Sequence, residues 1–518
     1  MKSYIKKIEW DRIYLLLHVE QEGDVKYYLK SRENEQLIPI LFEKGIVKVN
    51  ITNLSDTYEK FMLDEGTYDI VYESDNGITP VILCEEEYSN IENLDKVFPY
   101  GENKYAYVVQ LESYEQGEDM AVSIKVSYMM KNPKPNSPWR EKGLKNFLVR
   151  LFVSFFRAEY AILSKIYRKK GNRILLMSET KAQIAGNLKT INERIKNHEK
   201  AKEWTVSHSF CEVLNSSTLK TGVYWLKLIP LLAKQAVILV DDYCPVFKYL
   251  DLHPSTTLIQ VWHAGVGFKS VGYSRFGKKD SPDPISSCHR KYDYVVVGSK
   301  NLIPVYQEVF GLSKEHFLPF GMARVDDYIL GMEQEKEHLW KGKEVILFAP
   351  TYRGGGQKEA YYPYEKLDMK ELYELCGEDR VFLFKMHPFI KKLPDIPEQY
   401  KERLVDVSHE DMNEMLQICD VLITDYSSVI YEFALKNKPI LFYVFDKELY
   451  KSVRGFHWDF DAYAPGEICT SFEELKEAID ERKYNLDKVK NFVEFGYDYT
   501  DAGSTNRLID FIEEKMKK

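Results

Sequence analysis

The chain predicts an α/β protein: two doubly wound, Rossmann-like parallel-sheet units in tandem behind a small N-terminal β-sandwich. Three observations carry this expectation. Residues 1–130 are rich in short β-branched and aromatic stretches separated by turn signals. A segment dense in proline and asparagine, "KNPKPNSP", then interrupts the chain. Beyond residue 170, short apolar runs alternate with polar helical stretches in two successive series, as in sheets covered by helices on both faces.

The N-terminal strands are expected in "RIYLLLHVEQ", "VKYYLKSR", "IVKVNITNL", "TYDIVYES" and "YAYVVQLES". No chemistry-bearing constellation stands out there, and an accessory module is the plainest reading. Residues 131–170 are expected to form a linker followed by a basic amphipathic helix. There Leu144, Phe147, Leu148, Leu151, Phe152, Phe155 and Phe156 recur at helical spacing among many Lys and Arg. Such a helix either docks on a neighbouring unit with its lysines in water or lies on an anionic membrane surface. The first parallel-sheet unit, residues 171–330, takes its strands from "RILLMSE", "WTVSHSF", "AVILVDD", "TTLIQVW" and "YDYVVVGS". The second, residues 331–518, takes them from "EVILFAPTYRG", "RVFLFKMHP", "LVDVS", "VLITDYSS" and "PILFYVF".

Bulk properties agree with a folded chain of several units. A length of 518 residues exceeds what one hydrophobic core serves. Apolar residues make up 44% and charged residues 29%, and the formal net charge of -9 recommends no nucleic-acid partner. The seven cysteines are scattered without CxxC spacing, which suits a reducing compartment and suggests neither a disulfide framework nor a zinc site. Charges interrupt every long apolar stretch, so neither a signal peptide nor a spanning helix is expected.

Polar residues cluster where strands should end. "LIQVWHAG" ends at His263, "ILFAPTYRGGG" at Thr351 to Arg353, "FLFKMHP" at Lys385 and His387, and "VLITDYSS" at Asp425 to Ser428. Ligands of doubly wound sheets bind at the carboxyl ends of strands, and this mix of imidazole, guanidinium, ammonium and hydroxyl groups suits a phosphorylated one. Ser427 and Ser428 precede a helical stretch, either as phosphate ligands or as a simple N-cap. Arg353 offers a bidentate fork to phosphate or makes an ion pair beside a glycine loop. His387 donates to a pyrophosphate or is a structural histidine, and His263, taken alone, reads as a core residue before a glycine turn.

Several of these blocks together resemble a known family. "VWHAGVGFKSVGY", "LFAPTYRGGG", "FKMHP", "ITDYSSVIYEFALKNKPILFYVFDKELY", "RGFHWDFDAYAPG" and "DAGSTNRLIDFI" are similar, in order and spacing, to the blocks of the CDP-glycerol glycerophosphotransferases, the teichoic-acid primases and polymerases. The resemblance covers residues 171–518. It implies a GT-B-like pair of units, with the donor on the second and the acceptor on the first. It also implies a CDP-activated polyol as donor, a hydroxyl of a lipid-linked wall or capsule polymer as acceptor, and CMP as leaving group. A basic region holding the enzyme at the cytoplasmic membrane face is part of that implication and points residues 139–170 towards the membrane. His263 and His387 correspond to the family's functional pair. Ala264 and Gly265 stand where glycine and threonine more commonly follow the histidine, and this departure bears on which polyol, ribitol or glycerol, is carried.

On this reading His263 is the general base and Arg353, Lys385 and His387 counter pyrophosphate charge, while Ser427, Ser428 and the adjacent N–H groups hold phosphate oxygens and Asp425 belongs to the same donor-binding set. Glu432 either binds the cytidine ribose or sits on a solvated face. Thr351, Gly265, Lys269 and Arg454 are possible loop contacts. Lys269 and Lys300 steer a polyanionic acceptor or are ordinary surface lysines, and Arg454 and His457 belong to a loop that closes over the donor or lines the core. No cofactor is expected; Asp425, Asp241 and Asp242 are the only candidates for a divalent ion, and none is expected to hold one. A GT-B nucleotide-sugar glycosyltransferase, an epimerase of the same architecture and a noncatalytic nucleotide-binding membrane scaffold are the rival readings.

Overall fold

The structure, a computed structural model, describes residues 2–21, 25–52, 62–75, 77–101, 103, 105–129, 144–213, 216–262, 269–278, 281–284, 287–332, 338–354 and 357–517. The expected linker lies outside them.

Eleven N-terminal strands, from Tyr4–Asp11 to Asp119–Met129, form one continuous sheet. Strand Gly66–Ser74 pairs with Lys26–Ser31 on one side and with Asp119–Met129 on the other, while Ile82–Leu83 bridges Tyr4–Asp11 to Asp119–Met129. The ladder therefore closes on itself like a barrel, and this corrects the expected sandwich. The period-two alternation is real: Tyr27 and Leu29 point inward from Lys26–Ser31 while their neighbours are less buried. That pattern serves a sandwich and a barrel alike, and the difference rests on the long-range pairing of Gly66–Ser74 with Asp119–Met129.

Helix Leu144–Ile166 follows. It buries Val153, Phe156 and Tyr160 against helix Thr218–Lys234, where Gly222 leaves room for the Phe152 ring. Its other face exposes Phe147, Leu148, Leu151, Phe155, Ile162 and Ile166. No described helix is long and apolar enough to cross a membrane.

Two six-stranded parallel sheets form the rest. The first runs Thr205–Phe210, Arg173–Ser178, Val237–Val240, Thr257–Gln260, Tyr294–Val296, Phe317–Leu318; the second runs Leu404–Asp406, Arg380–Phe384, Glu344–Phe348, Val421–Thr424, Ile440–Tyr443, Glu467–Cys469. Their central strands are almost wholly apolar and buried, as sheets covered on both faces require. One hydrophobic core runs through both sheets and includes Val240, Tyr306, Tyr328, Leu416, Tyr431 and Phe442. The last helix, Ser504–Met516, returns to the first sheet and places Leu508, Ile509 and Ile512 in its core.

Candidate active site

In the second sheet the strand order reverses direction between Glu344–Phe348 and Val421–Thr424, so the crevice beyond these two strand ends is the binding position that doubly wound topology provides. The chain leaves the first strand as Ala349 to Arg353 and the other as Asp425 to Ser428. Asp425 is buried and ties the two ends together. It accepts the Thr351 backbone N–H at 2.8 Å, the Thr351 hydroxyl at 3.1 Å and Nη1 of Arg353 at 2.8 Å.

Arg353 is not the open phosphate fork, nor the surface ion pair, that the sequence offered. Its Nε and Nη2 donate to the two carboxylate oxygens of Asp446 at 2.6 and 3.0 Å, and Nη1 also reaches the Thr351 carbonyl at 3.1 Å. Burial opposes its charge, but Asp425 and Asp446 outweigh burial and hold its pKa above the usual value. Tyr426 donates to Asp446 at 3.0 Å and stacks on Tyr450 with centroids 3.8 Å apart. Asp446 was missed by sequence reasoning. The available signal was its place in "FYVFDKELY", just past the end of a third strand of the same sheet.

His387 follows strand Arg380–Phe384 and packs between Tyr352 and Phe389, each ring centroid 4.8 Å away. Its Nδ1 accepts the Phe389 N–H at 3.2 Å, which assigns the ring proton to Nε2 when the ring is neutral. Burial, helped by the Lys269 charge and opposed by Asp425, lowers its pKa to about 4. Lys269 comes from the other unit: burial lowers its ammonium to about 8, against the pull of Asp425. Lys269 pairs in a β-bridge with Phe456, and Ser270 N–H donates to the Gly455 carbonyl at 3.0 Å. Lys269 and Ser270 of the first unit are thus fastened to the segment that follows helix Lys447–Arg454, so Arg454 ends a helix rather than lying in the expected loop. At the loop's start, Trp262 adopts a left-handed φ of 52° and its carbonyl accepts from Asn187 at 2.8 Å. His263 and Gly265 lie outside the described residues.

The remaining candidates are placed less centrally. Lys385 is buried with its ammonium on the Ser408 carbonyl at 2.7 Å, so it fixes the loop after Leu404–Asp406. Ser427 Oγ accepts the Val429 N–H at 3.5 Å, and Ser428 stands at the N-cap of Val429–Ala434 without a side-chain capping bond. Glu432 is neither solvated nor in the crevice: it is buried and forms an ion pair with Arg324 of the first unit. Asp241 pairs with Lys181, and Asp242 accepts the Thr180 hydroxyl. Lys300 uses its backbone N–H on Asp498, and His457 is buried beside Glu308 at 3.5 Å.

A cavity of about 1010 Å³ opens at the crevice, lined by Lys269, Tyr352, Arg353, Asp446, Tyr450 and Arg454 among others. Among the described residues, five cationic and two acidic side chains line it, an excess of positive charge that suits a diphosphate, and its tyrosines offer faces to a base. Two Rossmann-type units with such a crevice are the architecture of nucleotide-binding proteins.

Residues 156–514 match the family model described as CDP-Glycerol:Poly(glycerophosphate) glycerophosphotransferase, and the chain belongs to this family. It is 31% identical to the teichoic acid ribitol-phosphate polymerase TarL of Staphylococcus aureus (strain NCTC 8325 / PS 47), over 98% of each chain. It is 37% identical to the teichoic acid ribitol-phosphate polymerase TarK of the same strain, over 68% of this chain and 71% of that one. The solved structure of the wall teichoic acid polymerase TagF shares the fold, with a TM-score of 0.53 at 22% identity, over 72% of this chain and 96% of that one.

Proposed function

We propose that this protein transfers polyol phosphate, ribitol phosphate or glycerol phosphate, from a CDP-activated donor to a hydroxyl of a lipid-linked teichoic-acid-type polymer, releasing CMP. The observation that carries this is the electropositive cavity at the topological switch of the second sheet, to which the first unit contributes Lys269. The units are GT-B-like, with the donor on the second, residues 331–518, and the acceptor approaching from the first, residues 171–330; the returning helix Ser504–Met516 supports this arrangement. Ribitol phosphate is the favoured polyol, because the ribitol-phosphate polymerase TarL matches over nearly the whole chain, N-terminal barrel included.

The acceptor oxygen attacks the phosphorus bearing the polyol while the bond to the CMP phosphate breaks on the opposite side, so the active site must take one proton and stabilise charge on the leaving phosphate. His263 takes the proton. His387, neutral at physiological pH, donates from Nε2 to a phosphate oxygen; a ring with a pKa of about 4 is a poor base but a competent donor. Lys269 and Arg454 counter the diphosphate charge from the cavity wall. Arg353 and Thr351, both tied to Asp425, fix the turn on which Ser427 and Ser428 present hydroxyl groups to the donor phosphates. Lys385 supports His387 by holding the adjoining loop.

The apolar face of Leu144–Ile166, flanked by Arg150, Arg157 and Lys165, supports peripheral attachment to the cytoplasmic face of the membrane, where a lipid-linked acceptor is reached. Nucleotide release tests the proposal. Full-length protein with a lipid-linked acceptor and CDP-ribitol, CDP-glycerol or a UDP-sugar is expected to release CMP alone. UDP release would assign a glycosyltransferase, and no release from any donor would leave a nucleotide-binding scaffold.

A further inference from the structure

A second cavity, of about 320 Å³, lies where the N-terminal barrel meets both parallel-sheet units. Arg12 and Lys96 line it from the barrel, Arg275 and Lys278 from the first unit, and Lys451 and Arg454 from the second; no acidic side chain is among the described residues lining it. The junction is built for this. Arg12 sits at the hairpin turn between Tyr4–Asp11 and Tyr14–Glu20 with a left-handed φ of 51° and donates to the Phe456 carbonyl, while its own carbonyl accepts Nζ of Lys96 at 2.7 Å. Phe98 stacks on Phe276 with centroids 5.6 Å apart, and Arg275 donates to the Arg454 carbonyl at 2.5 Å.

Six cationic side chains lining one cavity, with no acidic one among the described residues of its wall, make it a place where a bound anion is stabilised. Arg12 has counter-charge in Asp11, 3.4 Å away, and Glu308, 3.2 Å away, and Asp11 also acts on Lys96. Two further groups point to a ligand: Oγ of Ser270, a residue 3% exposed that lines the cavity, and Nε of Arg12 are buried without a hydrogen-bond partner. The cavity also adjoins the donor crevice. Arg454 lines both, and the consecutive residues Lys269 and Ser270 line one each.

We propose that this junction binds phosphodiester groups of the acceptor chain, behind its reacting hydroxyl, so that the N-terminal barrel takes part in acceptor recognition. The proposal deepens the transferase reading and rests on it for the identity of the chain. A repeating polyol phosphate carries the regularly spaced single negative charges and hydroxyls that such a basic, hydroxyl-bearing passage matches. Continuity with the donor crevice favours a chain that ends there over a lipid headgroup.

The test is calorimetric titration of full-length protein with a synthetic oligomer of ribitol phosphate several units long, in the absence of any CDP donor. Lys278 and Lys451 are exposed, so the Lys278→Gln/Lys451→Gln double variant is expected to fold, as its thermal unfolding will check. Its Kd for the oligomer should rise roughly tenfold and its binding should lose part of its salt dependence. In turnover, KM for the long acceptor should rise while kcat holds. A Kd equal to that of the unaltered protein would overturn the proposal. So would a variant that keeps the oligomer Kd but loses binding to phosphatidylglycerol vesicles, which would assign the site to headgroups. Because binding is read without donor, a protein that transfers nothing would still report on this cavity, and failure of the transfer reading registers separately as absent CMP release.

Discussion

The guanidinium of Arg353 holds three strand ends at one point, and its environment decides what substitution does. It is 9% exposed and bonded to Asp425 and Asp446. Removing one partner of such a cluster leaves buried charge uncompensated, so Arg353→Gln should destabilise by about 3–5 kcal/mol, read by denaturant unfolding. Asp446→Asn should weaken donor binding with it, because the same turn carries Tyr450 and the cavity wall. His387 predicts a pH effect with a definite sign. The unfolded ring protonates near pH 6.5 and the folded one only near 4, so the unfolded chain binds more protons between these values and stability falls as pH falls through the window. Buried His289, also lowered to about 4, contributes in the same direction. The slope of Tm against pH should therefore be shallower in His387→Gln but not vanish. Lys269 acts on the alkaline side: KM for the donor should climb as pH passes about 8, where its ammonium is lost, and Lys269→Arg should remove that limb. The residue types at strand ends were legible because doubly wound folds put ligands there. Their partners were not: Arg353 and Asp446 are separated by 93 residues, and no local pattern says that the fork faces carboxylates rather than phosphate. Glu432 escaped for the same reason, its partner Arg324 lying on another unit.

At the scale of elements, helix Leu144–Ile166 shows how one periodic pattern serves two surfaces. The apolar residues counted in the sequence form a stripe too wide for one contact. Val153, Phe156 and Tyr160 are used on Thr218–Lys234, whereas Phe147, Leu151 and Phe155 are each more than half exposed. The two expected roles, docking and membrane contact, are therefore compatible, each on its own face. Phe156→Ala should cost about 3–5 kcal/mol of stability, while Leu151→Glu with Phe155→Glu should leave Tm unchanged and abolish flotation with anionic vesicles. Retained flotation of that double variant would remove the helix from the membrane account. The parallel strands were legible almost one by one, since burial on both faces forces continuous apolar runs such as "VILV" and "ILFY". The barrel was legible only as strands, because its closure depends on pairings far apart in sequence.

At the scale of the whole molecule, the three sheets meet at the second cavity, beside the crevice, rather than standing apart. Arg12 of the barrel reaches Glu308 of the first unit and the Phe456 carbonyl of the second, and Lys269 crosses from the first unit to the second. None of these contacts follows from periodicity, which is why the sequence says nothing of how the barrel and the two parallel sheets engage. Both cavities accordingly take their lining from more than one unit. The most direct test of the central claim is the mass of a lipid-linked acceptor after incubation of the full chain with CDP-ribitol. The account predicts successive increments of ribitol phosphate with one CMP released per increment. An acceptor of unchanged mass with both CDP-ribitol and CDP-glycerol would contradict it.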